Sequence, residues 1–461
     1  MEPKSQETKT PYRFMLPLVL GTMMNPLNST MLATALITLC NSFKISVGSG
    51  AVLIVSLYVT STIAQPLMGR LADIYSAKKI NTAGFILVLI AALIGMFAPS
   101  FGWLIVSRII LGLGTSAAYP SAIALLNKKY AEINKPVPGN VLGIVAITSQ
   151  VSGVLGPTLG GLLTEAFGWQ GIFFINIPWV IVALYLSRAI PDYPAFKSNT
   201  KVSLFKKLDI PGILIFSLFL LSLLYVLLQP VFLWYPVAAV VLLLIFVIWW
   251  EWKQESPFID IKLLYYQPAL FLVYVRTLAT NYILYMILFA LPQWLEGVRH
   301  VMPAKTGITL LPMTGMAILV GYGVSKIEKP VFQNVLGVAV MLVACLSLFL
   351  VNASIPLLFF VLITMVIGVA DGINMIANQA LLNREVPMSK KGVSFGLYRT
   401  AGYIGAILSG TQLKKLFHFG VTDQSFHRIG FYTLIAALVL LVLLVPLLFK
   451  VNKPYSKLVV T

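Results

Sequence analysis

Charged residues are scarce in this chain: Asp, Glu, Lys and Arg together make up 10% of its 461 positions. Soluble globular proteins carry roughly 25%. Apolar residues contribute 59%. This composition excludes a water-soluble domain of useful size, and most of the chain is expected to lie in a lipid bilayer.

Other absences narrow the chemistry. Two cysteines, Cys40 and Cys345, are too few for a disulfide framework. The three histidines fall in predicted outer loops, and the sequence has no phosphate-binding loop, no cluster of metal ligands and no pairing of a nucleophile with a base. We therefore expect no metal, no cofactor and no enzymatic activity, so energy must come from an ion gradient or from the substrate's own gradient.

The apolar residues fall into about fourteen runs that are each long enough to cross a bilayer as a helix. Outside these runs the Lys and Arg residues divide roughly four to one between the two sides of the membrane, which sets the orientation. The net charge of +18 is thereby explained without nucleic acid. The sequence predicts an all-α membrane protein with fourteen transmembrane helices and both termini in the cytoplasm, the spans being 14–36, 49–69, 80–99, 102–126, 140–164, 170–189, 209–229, 235–251, 268–293, 305–325, 331–350, 355–383, 392–415 and 428–450.

Spans seven and eight have no charged residue from Ile213 to Leu228 or from Val237 to Trp250, so we expect them to face lipid. Polar connections flank the pair, which gives six spans, a two-span insert and six further spans, as in two related bundles. We predict five segments: a cytoplasmic tail (1–13), an N-terminal six-helix bundle (14–189), a linker region with two extra transmembrane helices (190–267), a C-terminal six-helix bundle (268–450) and a second cytoplasmic tail (451–461).

Four short motifs stand out in the first half. Span two is followed by a loop containing Gly69, Arg70 and Asp73 and then Lys78 and Lys79, and span four contains Arg108 followed by two glycines. Trp169 begins a sixth-span signature that ends at Pro178. In span five, glycines leave one helix face without side-chain bulk and a proline withdraws a backbone donor, so this helix can pack at backbone distance; the motif residues are Gly153, Gly156, Pro157, Gly160 and Gly161.

These motifs resemble those of the major facilitator superfamily, and in particular its fourteen-span drug:proton antiporters. The resemblance implies the major facilitator fold, with two six-helix bundles that rock about a central site and two extra central helices. It also implies that the loop from Gly69 to Lys79 is a gate that latches the bundles at the cytoplasmic side. The chain departs from the pattern in span one, where Asn28 stands in a region that often carries an acid in this family.

One acidic residue, Asp371, is predicted near a bilayer midplane, in span twelve. A charge there costs about 2.5–3.5 kcal/mol on insertion scales, so it needs a purpose or a partner. Asn374 and Asn378 share its helix face. Because burial favours the neutral form of a carboxyl, we predict that Asp371 is the principal proton and cation site, with Arg108 also taking part in proton coupling.

The predicted substrate-binding residues are polar side chains expected on the inner faces of spans one, four, nine and twelve: Asn25, Asn28, Arg108, Thr115, Tyr119, Arg276, Asp371, Asn374 and Asn378. Structural alternatives remain open for several of them. Asp371 is permanently paired with Arg399 or Arg276 in one alternative, Arg108 is fixed by backbone carbonyls in another, and the asparagines of span one serve only hydrogen bonds between helices in a third. The Asp73 loop is a plain solvated loop in a fourth.

These observations predict a proton-coupled multidrug efflux antiporter in a bacterial cytoplasmic membrane. Its partners are expected to be protons, the lipid bilayer and a drug-like small molecule that is monocationic, zwitterionic or neutral, and the protein is expected to be a monomer that binds no nucleic acid. One alternative is a specific exporter or flippase of a metabolite, peptide or lipid, with Arg108 and Arg276 reading an anionic group. Another is a membrane sensor or scaffold that transports nothing.

Overall fold

A computed structural model describes residues 12–133, 137, 139–193, 209–229, 233–254, 257–259, 261–327, 329–385 and 391–446. No strand occurs within these ranges. In the first half the helices are α1 (Tyr12–Ser42), α2 (Val47–Gly50), α3 (Val52–Ile74), α4 (Ala77–Met96), α5 (Phe101–Ser116), α6 (Ala118–Ala131), α7 (Gly139–Phe167), α8 (Gly171–Phe174) and α9 (Asn176–Ser187).

Two helices follow, α10 (Ile210–Leu228) and α11 (Trp234–Lys253), and lead into the second half. Its helices are α12 (Ile261–Tyr266), α13 (Pro268–Gly297), α14 (Pro303–Thr309), α15 (Leu311–Ser325), α16 (Pro330–Ser347), α17 (Leu357–Glu385), α18 (Lys391–Leu416) and α19 (Asp423–Val442), with a short 3-10 helix at Leu348–Leu350.

Ten helical stretches in the described ranges are long and apolar enough to cross a membrane, or up to eleven if a pair bent by 118° around Gly168 forms one span. Helices α1 and α18 are outside this set, although 31 and 26 residues at 1.5 Å each exceed a hydrocarbon core of about 30 Å. Their lower hydropathy follows from the asparagines and threonines of α1 and the lysines and arginine of α18. The chain is therefore a multi-pass membrane protein, and the count of fourteen spans stays a prediction.

The same packing pattern occurs in both halves. In the first half α1 packs against α7 while α5 packs against α3 and α4, and in the second half α13 packs against α18 while α17 packs against α15 and α16. The two halves meet where α7 contacts α14, where α3 contacts α18 and where α1 contacts α13. A central space between the halves is lined by α1, α6 and α7 on one side and by α13, α15, α17 and α18 on the other.

Helices α10 and α11 pack against each other, and α10 touches α3 and α18 at the edge of this interface. Only 28% and 22% of their apolar windows are buried inside the protein, the lowest values of all the candidate spans, in agreement with the expected lipid-facing position. Asp209 joins their ends, since its carboxylate accepts hydrogen bonds from the Gly212 backbone N–H, the Trp250 indole N–H and the Phe258 backbone N–H at 3.0–3.1 Å. The predicted linker residues 194–208 lie outside the described residues.

Several predicted boundaries differ from the helices. The predicted span 102–126 consists of two helices separated at Ala117, and the predicted span 305–325 begins at Pro303 and is interrupted at Leu310. Span nine was expected to end at 293, but α13 continues to Gly297. These interruptions do not change hydropathy, which explains why apolar runs alone do not reveal them.

Candidate functional site: a cavity between the two halves

A cavity of about 430 Å³ lies between the two halves, within the range of roughly 300–1,000 Å³ that is usual for small-molecule sites. Its wall is mostly apolar and aromatic. Residues that line it from the first half include Asn25, Pro26, Thr30, Tyr119, Ser149 and Gly153, and those from the second half include Asn281, Tyr285, Met313, Tyr322, Asp371, Met375, Asn378, Gln379, Tyr398, Arg399 and Tyr403. A drug-sized molecule would contact both halves at once.

The Asp371 side chain faces this cavity from the middle of α17. Among the described residues, the one ion pair within 4 Å is that between Arg384 and Glu385. No lysine, arginine or histidine nitrogen in this part of the chain therefore lies within 4 Å of the Asp371 carboxylate. The permanent pairing with Arg399 or Arg276 that the sequence left open is therefore absent in this conformation. A carboxyl in an apolar cavity without a cationic partner is suited to bind a proton or a cationic group.

Arg399 lines the same cavity from α18 and connects the two halves. Its guanidinium stacks over the Tyr119 ring at 3.7 Å from the ring centroid, a cation–π distance. It also donates a 3.0 Å hydrogen bond to the Ser149 hydroxyl of α7. The positive charge is thereby held by first-half partners.

Asn25 lines the cavity, but its two amide hydrogens point elsewhere. They are donated to the hydroxyls of Ser61 at 3.0 Å and Thr115 at 2.8 Å. The Asn25 carbonyl oxygen accepts a longer hydrogen bond, 3.4 Å, from the Tyr403 hydroxyl of the second half. Thr115 is buried behind the wall, so Asn25 presents an atom to the cavity and Thr115 does not.

Asn378 lines the cavity, whereas four other predicted substrate residues do not line it in this conformation: Arg108, Arg276, Asn28 and Asn374. Arg108 is buried and donates to the backbone carbonyls of Leu53 at 3.2 Å and Asn28 at 3.0 Å. Arg276 is fully buried and donates to the Asn334 side chain. The Asn374 amide donates to the Gly337 carbonyl at 2.7 Å. Tyr119, Asp371, Asn25 and Asn378 are thus brought together in the cavity, and Arg108, Arg276, Asn28, Asn374 and Thr115 serve contacts between helices.

Asn28 and Asn176 form a reciprocal pair of side-chain amides, with hydrogen bonds of 2.6 and 2.8 Å between α1 and α9. We expect Asn176→Ala to destabilise the protein by about 1 kcal/mol, because a buried amide loses its partner and such bonds in membranes are worth roughly 0.6–2 kcal/mol. Thermal unfolding in detergent measures the effect, with the exposed Asn41→Ala as control. A variant that unfolds normally but binds drugs more weakly would contradict this structural assignment.

The glycine motif of α7 packs against two different partners. A Cβ added at Gly160 would lie 2.3 Å from the Met31 carbonyl oxygen of α1, and one at Gly156 would lie 1.8 Å from the Thr30 hydroxyl. A Cβ at Gly161 would instead lie 2.1 Å from the carbonyl oxygen of Pro303, in the other half. One helix therefore holds its own bundle together and also closes the contact between the bundles.

Pro157 and its neighbour extend this contact by hydrogen bonds. The Pro157 carbonyl oxygen accepts a 2.9 Å hydrogen bond from the Thr34 hydroxyl of α1, and the Thr158 hydroxyl donates a 2.9 Å hydrogen bond to the Gly307 carbonyl of α14. The contact lies at the end of the bundle that the sequence predicts to face outward. Gly48 and Lys414 also approach at backbone distance at this end. In this conformation the predicted outer end is closed.

The predicted gating loop makes contacts within the first half. The Lys78 ammonium donates to the Ile190 carbonyl, and the Ser76 hydroxyl donates to Asp192 at 2.7 Å. Nearby, burial and the Glu132 carboxylate raise the pKa of Tyr193, so the phenol stays a donor to that carboxylate. Lys79 is exposed, and a Cβ at Gly69 would lie 3.3 Å from Pro120. The side chains of Arg70 and Asp73 lie outside the described residues, so the latch between the bundles stays a prediction.

An aromatic cluster that sequence reasoning missed lies at the end of the cavity towards the closed contact. Tyr285 and Tyr403 line the cavity, and the buried Tyr58 packs against both with ring centroids 5.1 and 5.7 Å away. Phe289 stacks on Tyr285 at 5.7 Å. Tyr285 and Phe289 share a face of α13 at a spacing of four residues, which was the available signal.

Two helical halves that enclose a cavity within a multi-pass membrane protein define a membrane transporter of small molecules. The family model of the Major Facilitator Superfamily matches residues 18–410, and the chain belongs to this superfamily. The nucleoside transporter NupG, in the crystal structure of a point mutant, shares the fold with a TM-score of 0.60 and 13% identity over 94% of this chain and 100% of its own.

Bacterial relatives cover nearly the whole chain. The uncharacterized MFS-type transporter YwoD of Bacillus subtilis is 32% identical over 432 residues, which are 92% of this chain and 94% of the relative. The riboflavin transporter RibZ of Clostridioides difficile is 24% identical over 81% of each chain. The multidrug efflux pump SdrM of Staphylococcus aureus is 25% identical over 96% of this chain and 98% of its own.

Proposed function

We propose that this protein is a proton-coupled exporter of amphipathic small molecules and belongs to the fourteen-span drug:proton antiporters of the superfamily. It works in a bacterial cytoplasmic membrane, with both termini in the cytoplasm and as a monomer. The observation that carries the proposal is the Asp371 carboxyl, which faces the cavity between the halves without a cationic nitrogen within 4 Å. One acid that binds either a proton or a cationic substrate supplies the exchange that antiport requires.

The chemistry of the wall supports the substrate class. Tyrosines and methionines such as Tyr322 and Met375 offer adaptable apolar contacts, which suit substrates of varied shape. Asp371 neutralises a single positive charge, while the Arg399 charge is already engaged by Tyr119 and Ser149. Monocations, zwitterions and neutral lipophiles therefore fit better than dications or free anions.

The packing of the closed end supports alternating access. Its contacts between the halves include backbone approaches at glycines and a few hydrogen bonds, as at Gly161 with Pro303 and Thr158 with Gly307. Such surfaces separate without leaving a buried charge pair behind. Rocking of the halves about the cavity then exposes Asp371 to one side of the membrane at a time.

The relatives favour export but leave a second candidate. One is named a multidrug efflux pump and another a riboflavin transporter, so a specific exporter of one planar aromatic metabolite is the alternative. The tyrosines of the cavity wall, which include Tyr285 and Tyr403, favour it. An exporter that reads an anionic group through Arg108 and Arg276 has less support, because neither side chain lines the cavity.

Transport by the purified protein in lipid vesicles tests the proposal. With a pH gradient of two units imposed, we expect concentrative movement of a fluorescent monocation, a neutral lipophile and a zwitterionic quinolone, and its collapse on adding a protonophore. Vesicles without protein are the control, and riboflavin and a dication complete the panel. Movement of riboflavin alone would support the specific exporter, and no flux of any compound would support a sensor or scaffold.

A further inference from the structure

A buried carboxyl outside the cavity, that of Glu296, lies at the closed end of the molecule, near the C-terminal end of α13. Its side chain is 7% exposed, and both of its carboxylate oxygens are buried without a hydrogen-bond partner in the described part of the chain. Gln293, one turn earlier on the same helix, also has an unpaired and buried side-chain oxygen. An ionised carboxylate in such surroundings is strongly destabilising unless it is paired or binds a proton.

The residue beside Glu296 lies at a contact between the two halves. The next residue, Gly297, lies against Ile37 of α1 and Val421, with a Cβ position 3.4 and 3.1 Å from their side chains. Helix α13 belongs to the second half and α1 to the first, so this is a contact between the halves. Leu36 and Leu39 of α1 and Leu291 and Leu295 of α13 belong to one cluster of buried apolar residues. Closing the outer end therefore removes this segment from water, and opening it returns water.

No nearby group offers a compensating charge. The helices packed against α13 are α1, α12, α14, α17, α18 and α19. Among the described residues of these elements and the loops beside them, no lysine, arginine or histidine nitrogen lies within 4 Å of the Glu296 carboxylate. The charged side chains and histidines at this end are Lys44, Glu165, Arg299, His300, Lys305, Lys414, Lys415, His418, Asp423, His427 and Arg428, and the buried thiols are Cys40 and Cys345. Asp423 is engaged by the Trp294 indole at 2.8 Å and the Ala353 N–H, and Glu165 accepts from the Ala304 N–H.

We propose that Glu296 is a proton-binding site of the outer gate: the outer end closes when Glu296 is protonated and opens when it is ionised. The proposal rests on the exporter function and alternating access proposed above. A neutral carboxyl is tolerated in the closed contact, whereas a charged one requires the water that enters on opening. The proton is taken from the outer solution and returns to it, so Glu296 times the gate and Asp371 remains the coupling site.

The test measures the gate itself and not transport. Spin labels replace the exposed Ser42 at the end of α1 and the exposed Lys305 of α14, in a background in which Cys40 and Cys345 are serine. Pulsed electron resonance gives the distance between the labels in lipid nanodiscs between pH 5.5 and 8.5. We expect the ratio of long to short distances to rise at least tenfold with pH in the parent, and less than twofold in Glu296→Gln, which stays short.

Two further variants make the outcome specific. Glu165→Gln removes an exposed carboxyl at the same end and is expected to keep the parent response. Glu296→Asp retains a titratable carboxyl and is expected to keep the pH response of the parent. It provides the second test if Glu296→Gln assembles poorly. The proposal would be overturned if a monodisperse Glu296→Gln variant showed the same pH response as the parent, or if the distance between the labels in the parent did not change with pH. Either result would count against it even if drug export is established.

Discussion

Asp371→Asn is expected to abolish concentrative export while leaving the exchange of substrate nearly intact. Asparagine has the shape of a protonated aspartic acid, so the cavity keeps its volume and its hydrogen-bonding atoms, but it neither takes up nor releases a proton. One proton per neutral substrate under a pH gradient of two units sustains at most about a hundredfold accumulation, since each unit is worth about 1.36 kcal/mol. The variant is expected to reduce this ratio to about one.

Two assays on the same vesicles separate coupling from binding. Accumulation under the pH gradient is expected to fall to the level of vesicles without protein, while counterflow of a labelled neutral substrate stays within about threefold of the parent. Glu385→Gln is the matched control, because it neutralises a carboxyl on the same helix that is paired with Arg384 outside the cavity. Full accumulation by Asp371→Asn would remove the exchange mechanism, and parallel loss of both activities would make Asp371 a purely structural residue.

Asp371 could be found from the sequence because a lone acid in an apolar run is unusual whatever its neighbours are. The role of the arginines could not be found in this way. Arg108, Arg276 and Arg399 all lie in apolar segments, but the first two bind backbone or amide oxygens of neighbouring helices and only the third lines the cavity. Helical periodicity shows that a polar residue faces inward, and it does not show whether it meets another helix or a cavity.

Glu296 illustrates a second limit. Span nine is predicted to end at 293, so the sequence places Glu296 beyond the membrane-spanning run. Glu296 is nevertheless buried, and its neighbour Gly297 lies against Ile37 and Val421, which are more than a hundred residues away in the chain on either side. Closure of one end of a two-bundle protein is a property of a conformation, and a linear pattern of hydropathy contains no information about it.

The glycine motif of α7 was recognised as a close-packing surface, and its partners can now be tested separately. Gly161→Val is expected to hold the outer end open, because the first added carbon would already lie 2.1 Å from the Pro303 carbonyl oxygen across the contact. Overpacking of this kind costs about 1–3 kcal/mol. At 1.4 kcal/mol per factor of ten, the equilibrium shifts by roughly five- to a hundredfold towards the open state, and export falls accordingly.

Comparison with Gly160→Ala decides whether the motif acts as a gate or only as packing. Its added carbon would meet the Met31 carbonyl of the same bundle, so this variant is expected to lower the unfolding temperature without favouring either orientation. Gly315→Ala meets nothing within 4 Å and is the neutral control. The distance between labels at positions 42 and 305 is expected to lengthen at every pH in Gly161→Val alone. If Gly161→Val and Gly160→Ala lose stability equally and neither changes that distance, the contact with Pro303 is packing, and the closing of the outer end must depend on other residues.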